Sequence, residues 1–112
     1  MAKKLFKNYD FEFDKNEAKI ITSFCKQASN QMMSDEKFAS DVRAFNSIIE
    51  KINNDPFSVK MSKDEKIRLV RQLKENVKYI EKEMGRTNFI KRWLMKSMYK
   101  QYNSLLTNHF SE

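Results

Sequence analysis

Polar and apolar positions along this chain change period several times. At residues 9–13 they alternate, with Tyr9, Phe11 and Phe13 on one side and Asp10 and Glu12 on the other. That is the two-residue period of a strand. Asp14 follows, and Glu17 three residues later completes the capping-box spacing that opens a helix. Ile21, Phe24, Cys25, Ala28 and Met32 then recur at three- and four-residue steps, the apolar stripe of an amphipathic helix. After a short polar break a second stripe begins: Phe38, Val42, Phe45, Ile49 and Ile52. Ser34 is the expected cap of this second helix, with Met33 and Phe38 spaced as a hydrophobic staple. Pro56 ends it, because the residue before a proline is pushed out of helical geometry.

The order then recurs. Phe57, Val59 and Met61 alternate with Ser58 and Lys60, and Ser62 with Glu65 repeats the capping-box spacing. Val70, Leu73, Val77, Ile80 and Met84 mark a third helix, and Gly85 stands where a left-handed C-cap would end it. Thr87 is the expected cap of a last helix that reaches about residue 108. The pattern predicts a mainly α protein. Its architecture is a four-helix up-down bundle in a single helical domain, 1–112, with a short extended N-terminal segment at 9–13. The natural mate for that segment is 57–61. An antiparallel helix pair returns the chain to its starting end, and each extended segment feeds an outgoing helix, so a parallel pairing is expected. The aromatic residues of 9–13 then read as a lid over one end of the bundle.

Composition narrows this picture. One Gly and one Pro leave almost no turn residues for an all-β fold, and 40% hydrophobic with 33% charged residues suits a globular helical chain. Cys25 is the only cysteine, which excludes an internal disulfide and makes a cytoplasmic setting the simplest expectation. Its place inside the first stripe predicts a buried, unreactive thiol. The basic opening "MAKKLFKNYDFEF" has no apolar run of signal-peptide length. No stretch approaches the roughly 20 apolar residues of a membrane span, so no membrane insertion is expected.

Reaction chemistry is hard to find. His109 is the only histidine, and no Glu-x-x-His occurs, so neither a zinc cluster nor a di-iron bundle is indicated. A single glycine excludes a Gly-rich phosphate loop. The carboxylates fall in caps or beside Lys and Arg at helical spacing. No catalytic residue, metal, cofactor or small-molecule ligand is inferred, and the expectation is a protein that is not an enzyme.

Charge and the last helix carry what functional signal there is. Residues 1–56 hold nine basic and nine acidic side chains, and residues 57–112 hold thirteen and six, so the whole +7 excess lies in the second half. In "NFIKRWLMKSMYKQYNSLL" the apolar positions cover well over half of the helix circumference, more than a surface helix needs. Either the helix is central, or part of its apolar arc meets another chain. The expected contact residues are Trp93, Met95, Tyr99, Tyr102, Leu106 and Phe110. The leading expectation is therefore a small interaction module, self-associating as a homodimer or binding another protein through this helix. The alternative is nucleic-acid binding through a basic face formed by Arg71, Lys74 and Lys78 on the third helix and Arg92, Lys96 and Lys100 on the fourth.

Overall fold

The computed structural model describes residues 9–110, so the basic opening residues, including the stretch tested for a signal segment, lie outside the described residues up to position 8. The elements run β1 (Tyr9–Phe11), α1 (Lys15–Met32), α2 (Ala39–Asn54), β2 (Val59–Met61), α3 (Lys63–Met84) and α4 (Phe89–His109). Among the described residues the protein is mainly helical, with four α-helices and a short two-stranded sheet. It divides into two compact units, residues 1–69 and residues 70–112, and the boundary falls inside α3.

The first unit is built on a hairpin of α1 and α2. Asp14 and Glu17 form the full capping box: the Glu17 N–H donates to Asp14 Oδ1 at 2.7 Å, and the Asp14 N–H donates to Glu17 Oε1 at 3.1 Å. Two donors at the helix start are thereby satisfied. Ala18, Ile21, Phe24, Cys25 and Ala28 are buried along α1. On α2 the buried line is Ala44, Phe45, Ile48 and Ile52, while Phe38, Val42 and Ile49 are half-buried. The buried face is thus turned toward Ile48, which the four-three stepping passes over. The start of α2 also differs from expectation. Asp35, not Ser34, supplies the capping oxygen, accepting from the Lys37 N–H at 3.1 Å, and it caps a 3-10 turn at Glu36–Phe38 before the α-helix begins. Met33 stands exposed, which a staple against Phe38 would have covered.

The two extended segments pair, but in the opposite sense to the one expected. β1 and β2 are antiparallel, with Tyr9 opposite Met61, Asp10 opposite Lys60 and Phe11 opposite Val59. The cause lies at the end of α2. Asp55 leaves the helix in an extended conformation, as Pro56 requires. A turn follows in which the Ser58 N–H donates to the Asp55 carbonyl and the Phe57 N–H to Asp55 Oδ1. The Phe13 N–H donates to the Pro56 carbonyl at 2.9 Å, so the chain re-enters beside the end of β1 and runs back along it. Phe57 belongs to the turn and is exposed, whereas Val59 and Met61 are fully buried. Phe11 and Phe13 are buried with their rings stacked at 5.5 Å, so these aromatics are packing residues.

A buried polar knot ties the start of α3 to α2. Ser62 and Glu65 form the second capping box, with the Glu65 N–H donating to Ser62 Oγ at 3.1 Å and the Ser62 N–H to Glu65 Oε1 at 2.9 Å. Unlike Glu17, Glu65 is buried, and it also accepts from Ser47 Oγ and from Lys51 Nζ at 2.7 Å. Burial by itself would raise its pKa. The hydrogen bonds from Lys51, Ser47 and the Ser62 N–H, with the Lys51 charge, outweigh it and hold the carboxyl below its ordinary range. Nearby, Arg68 pairs with Asp41 at 2.7 Å and with Asp64 at 3.0 Å.

In the second unit a short turn joins the later part of α3 to α4. Tyr99 Oη donates to Glu81 Oε2 at 3.3 Å, placing the later turns of α3 beside the middle of α4. Leu73, Val77 and Ile80 of α3 are buried, as are Tyr102, Leu105 and Phe110. The turn between the helices is made differently from expectation. Among the described residues no glycine has a positive φ, so Gly85 is not a left-handed cap. The Arg86 N–H closes the turn onto the Glu83 carbonyl at 3.0 Å, and Arg92 Nε donates to the Met84 carbonyl at 3.0 Å. A side-chain cation thus satisfies a carbonyl at the end of α3 that a left-handed glycine would otherwise have helped to satisfy. Asn88, one residue beyond Thr87, caps α4 by accepting from the Lys91 N–H at 3.0 Å.

Candidate interaction surface on the last helix

The surface begins at the cap. Once Asn88 opens α4, Phe89, Ile90, Trp93 and Leu94 follow at the i, i+1, i+4 and i+5 positions of its first two turns. At about 100° per residue, that spacing places all four within an arc of about 140°. They are 80%, 67%, 71% and 54% exposed, respectively. Single exposed apolar residues are ordinary, but four adjacent large ones on one face are not.

The basic strip runs along one border of this arc. Arg92, Lys96 and Lys100 follow each other at four-residue steps, and all three are exposed. Arg92 is partly committed to the turn through the Met84 carbonyl and, at 3.2 Å, the Thr87 carbonyl. Arg71, Lys74 and Lys78 are exposed on α3. From residue 84 to residue 111 the chain carries Arg86, Lys91, Arg92, Lys96 and Lys100 and no carboxylate side chain. The first turn of α4 likewise holds no acid to offset its positive helix end.

Further along the same outward side the character changes. Tyr99, Lys100, Asn103, Ser104, Thr107 and Asn108 line a shallow, open depression. The outward side of α4 is therefore apolar in its first two turns and polar beyond.

The residues expected to make one contact face separate. Trp93 is exposed, Met95, Tyr99 and Leu106 are half-buried, and Tyr102 and Phe110 are buried and offer no free face in this chain. Burial also raises the pKa of the Tyr102 hydroxyl. The face gains Phe89, Ile90 and Leu94, which the expected set omitted. The signal that would have found them is the helical wheel itself: they occupy the arc opposite Tyr102, and both halves of an all-round apolar helix cannot be equally covered at a surface.

Burial pushes the Cys25 thiol up to about 12, so it is held as an unreactive packing group. His109 is half-buried with its ring edge-on to Phe110 at 6.3 Å. Among the described residues no three His, Cys, Asp or Glu side chains are grouped to hold a metal ion, and no helix is long and apolar enough to cross a membrane. No protein-family model, curated protein or solved structure matches this chain.

Proposed function

We propose that this chain is a non-enzymatic interaction module that docks through the outward face at the start of α4. One observation carries the reading: Phe89, Ile90, Trp93 and Leu94 are adjacent and exposed on one helix face. Aromatic residues are among those enriched in interface cores. A cytoplasmic setting, the simplest reading of a lone cysteine, belongs to the proposal. The test separates docking from folding. Trp93→Lys should leave the far-UV circular dichroism spectrum and the melting temperature essentially unchanged while abolishing association. If it unfolds the protein, the face is packing and the reading fails.

Self-association is the simplest protein form of this docking, and salt gives it a sign. Two copies meeting face to face on a two-fold axis would bring two basic strips together, so a homodimer should strengthen as salt screens them. Light scattering across a salt series reads this directly.

A second reading rests on the basic residues. Arg71, Lys74, Lys78, Arg92, Lys96 and Lys100 are all exposed within residues 70–112. Phosphates would be their partners, and Trp93 or Phe89 could stack on an unpaired base. Affinity for an oligonucleotide should then fall steeply with salt and drop for Lys96→Glu/Lys100→Glu; salt-independent binding removes the idea.

A further inference from the structure

We infer that the partner of this face is the surface of an anionic lipid bilayer. The inference rests on the docking reading above and names what covers the face.

Three observations favour a bilayer. The first is charge. Five cations and no carboxylate side chain lie between residues 84 and 111, and the positive end of α4 adds to the same field. Specific protein interfaces use complementary charges to fix register. The cationic excess of α4, with Glu81 as an acid the structure places beside it at Tyr99, suits a fluid surface of net opposite sign. The second is shape. Phe89 at 80% and Trp93 at 71% exposure project from the helix and would need a deep groove in a protein partner, whereas a headgroup layer yields to them. The third is side-chain type. Ile90 and Leu94 have no ring to stack on a base, so a nucleic acid would leave them in water; the acyl boundary takes aromatic and aliphatic groups alike.

The geometry follows from these positions. α4 lies along the surface with Phe89, Ile90, Trp93 and Leu94 entering the boundary between headgroups and acyl chains. Lys96 and Lys100 border that face and meet lipid phosphates, their stems allowing the ammonium groups to stay at headgroup level. Docking is peripheral, in keeping with helices too short on apolar residues to cross.

Trp93 is the only tryptophan in the chain, so its emission reports the contact without a label. The full-length protein is titrated with vesicles of about one-quarter phosphatidylserine in phosphatidylcholine, and with pure phosphatidylcholine vesicles. The expected result is a blue shift of Trp93 emission and co-sedimentation with the anionic vesicles. Binding to the neutral vesicles should be about tenfold weaker or more, and added salt should reverse binding. Lys96→Glu/Lys100→Glu, which keeps the reporter, should weaken binding by about tenfold or more with an unchanged circular dichroism spectrum. Absence of a shift and of sedimentation overturns the inference, as does equal binding to both vesicle types. Tight binding of a single-stranded oligonucleotide without vesicle binding also overturns it and assigns the face to nucleic acid. Should the double variant misfold, the wild-type vesicle and salt series still decides. Vesicle binding that fails while Trp93→Lys folds normally removes the bilayer alone; unfolding of Trp93→Lys removes the docking face itself.

Discussion

Among the described residues of the first unit the large apolar side chains facing solvent are scattered: Met33 in a connection, Phe57 in a turn and Ile67 on a helix. In residues 70–112 four of them, Phe89, Ile90, Trp93 and Leu94, sit together on one helix face, and Tyr79 is exposed on α3. The first unit encloses fully buried Phe13, Ile21, Cys25, Phe45, Ile48, Ile52, Val59, Met61 and Leu69, while among the described residues of the second Leu73 and Leu105 are buried to that degree. The first unit buries apolar residues of its helices and of its extended segments together, and the second divides those of α4 between buried and exposed positions. Exposure in the second case is contiguous, unlike the single exposed apolar residues ordinary at a surface.

The sharpest way to break this contrast is to delete a ring from each side of it. Phe45→Ala empties a fully buried site and should cost about 3–5 kcal/mol in urea unfolding. Phe89→Ala removes a ring that is 80% exposed and should stay within about 0.5 kcal/mol. Comparable losses would mean that the exposed face is part of the packing.

Next in size is a comparison of the two capping boxes. Glu65→Ala removes a buried acceptor of three donors and should cost about 2–3 kcal/mol, whereas Glu17→Ala at the exposed box should cost about 1 kcal/mol or less. The pH dependence follows from the lowered folded-state pKa of Glu65. Its stabilising contribution is fully present above the unfolded carboxyl value of about 4.3 and is lost as pH falls through the lower folded value. Stability profiles of wild type and Glu65→Gln should therefore converge in acid; parallel profiles would show that the Glu65 charge is not linked to folding.

Smaller effects test the turn between α3 and α4. Asn88→Ala removes the cap of the last helix and should lower stability by about 1 kcal/mol, while Thr87→Ala should change little. Gly85→Ala should be neutral or stabilising by up to about 1 kcal/mol, because φ is not positive there and the added Cβ would lie 3.8 Å from the Lys82 carbonyl oxygen. A clear loss on Gly85→Ala would mean that this turn needs a left-handed residue after all.

Much of the fold was legible in residue spacing. The four helices, both capping boxes, the stop at Asp55 and the pairing of residues 9–11 with 59–61 follow from period and cap chemistry. Strand direction was not legible, because it depends on where the Asp55–Ser58 turn delivers the chain beside Phe13, a distance no periodicity encodes. Ser34 and Thr87 were displaced as caps by neighbouring Asp35 and Asn88 for a similar reason: adjacent residues compete for the same free amides, and the backbone decides. The exposed apolar face was legible as an excess of apolar residues around α4. Which half of that excess stays in water depends on packing: Tyr102 and Phe110 are buried, and Phe89, Ile90 and Leu94 are exposed.

The account turns on Trp93. Thermal unfolding of Trp93→Lys, followed by far-UV circular dichroism beside the wild type, tests most directly whether the start of α4 is held for docking and not for folding. A melting temperature within about 2 °C of wild type is predicted, as for an exposed substitution. A fall of about 10 °C or more, the scale expected of a core lesion, would contradict it.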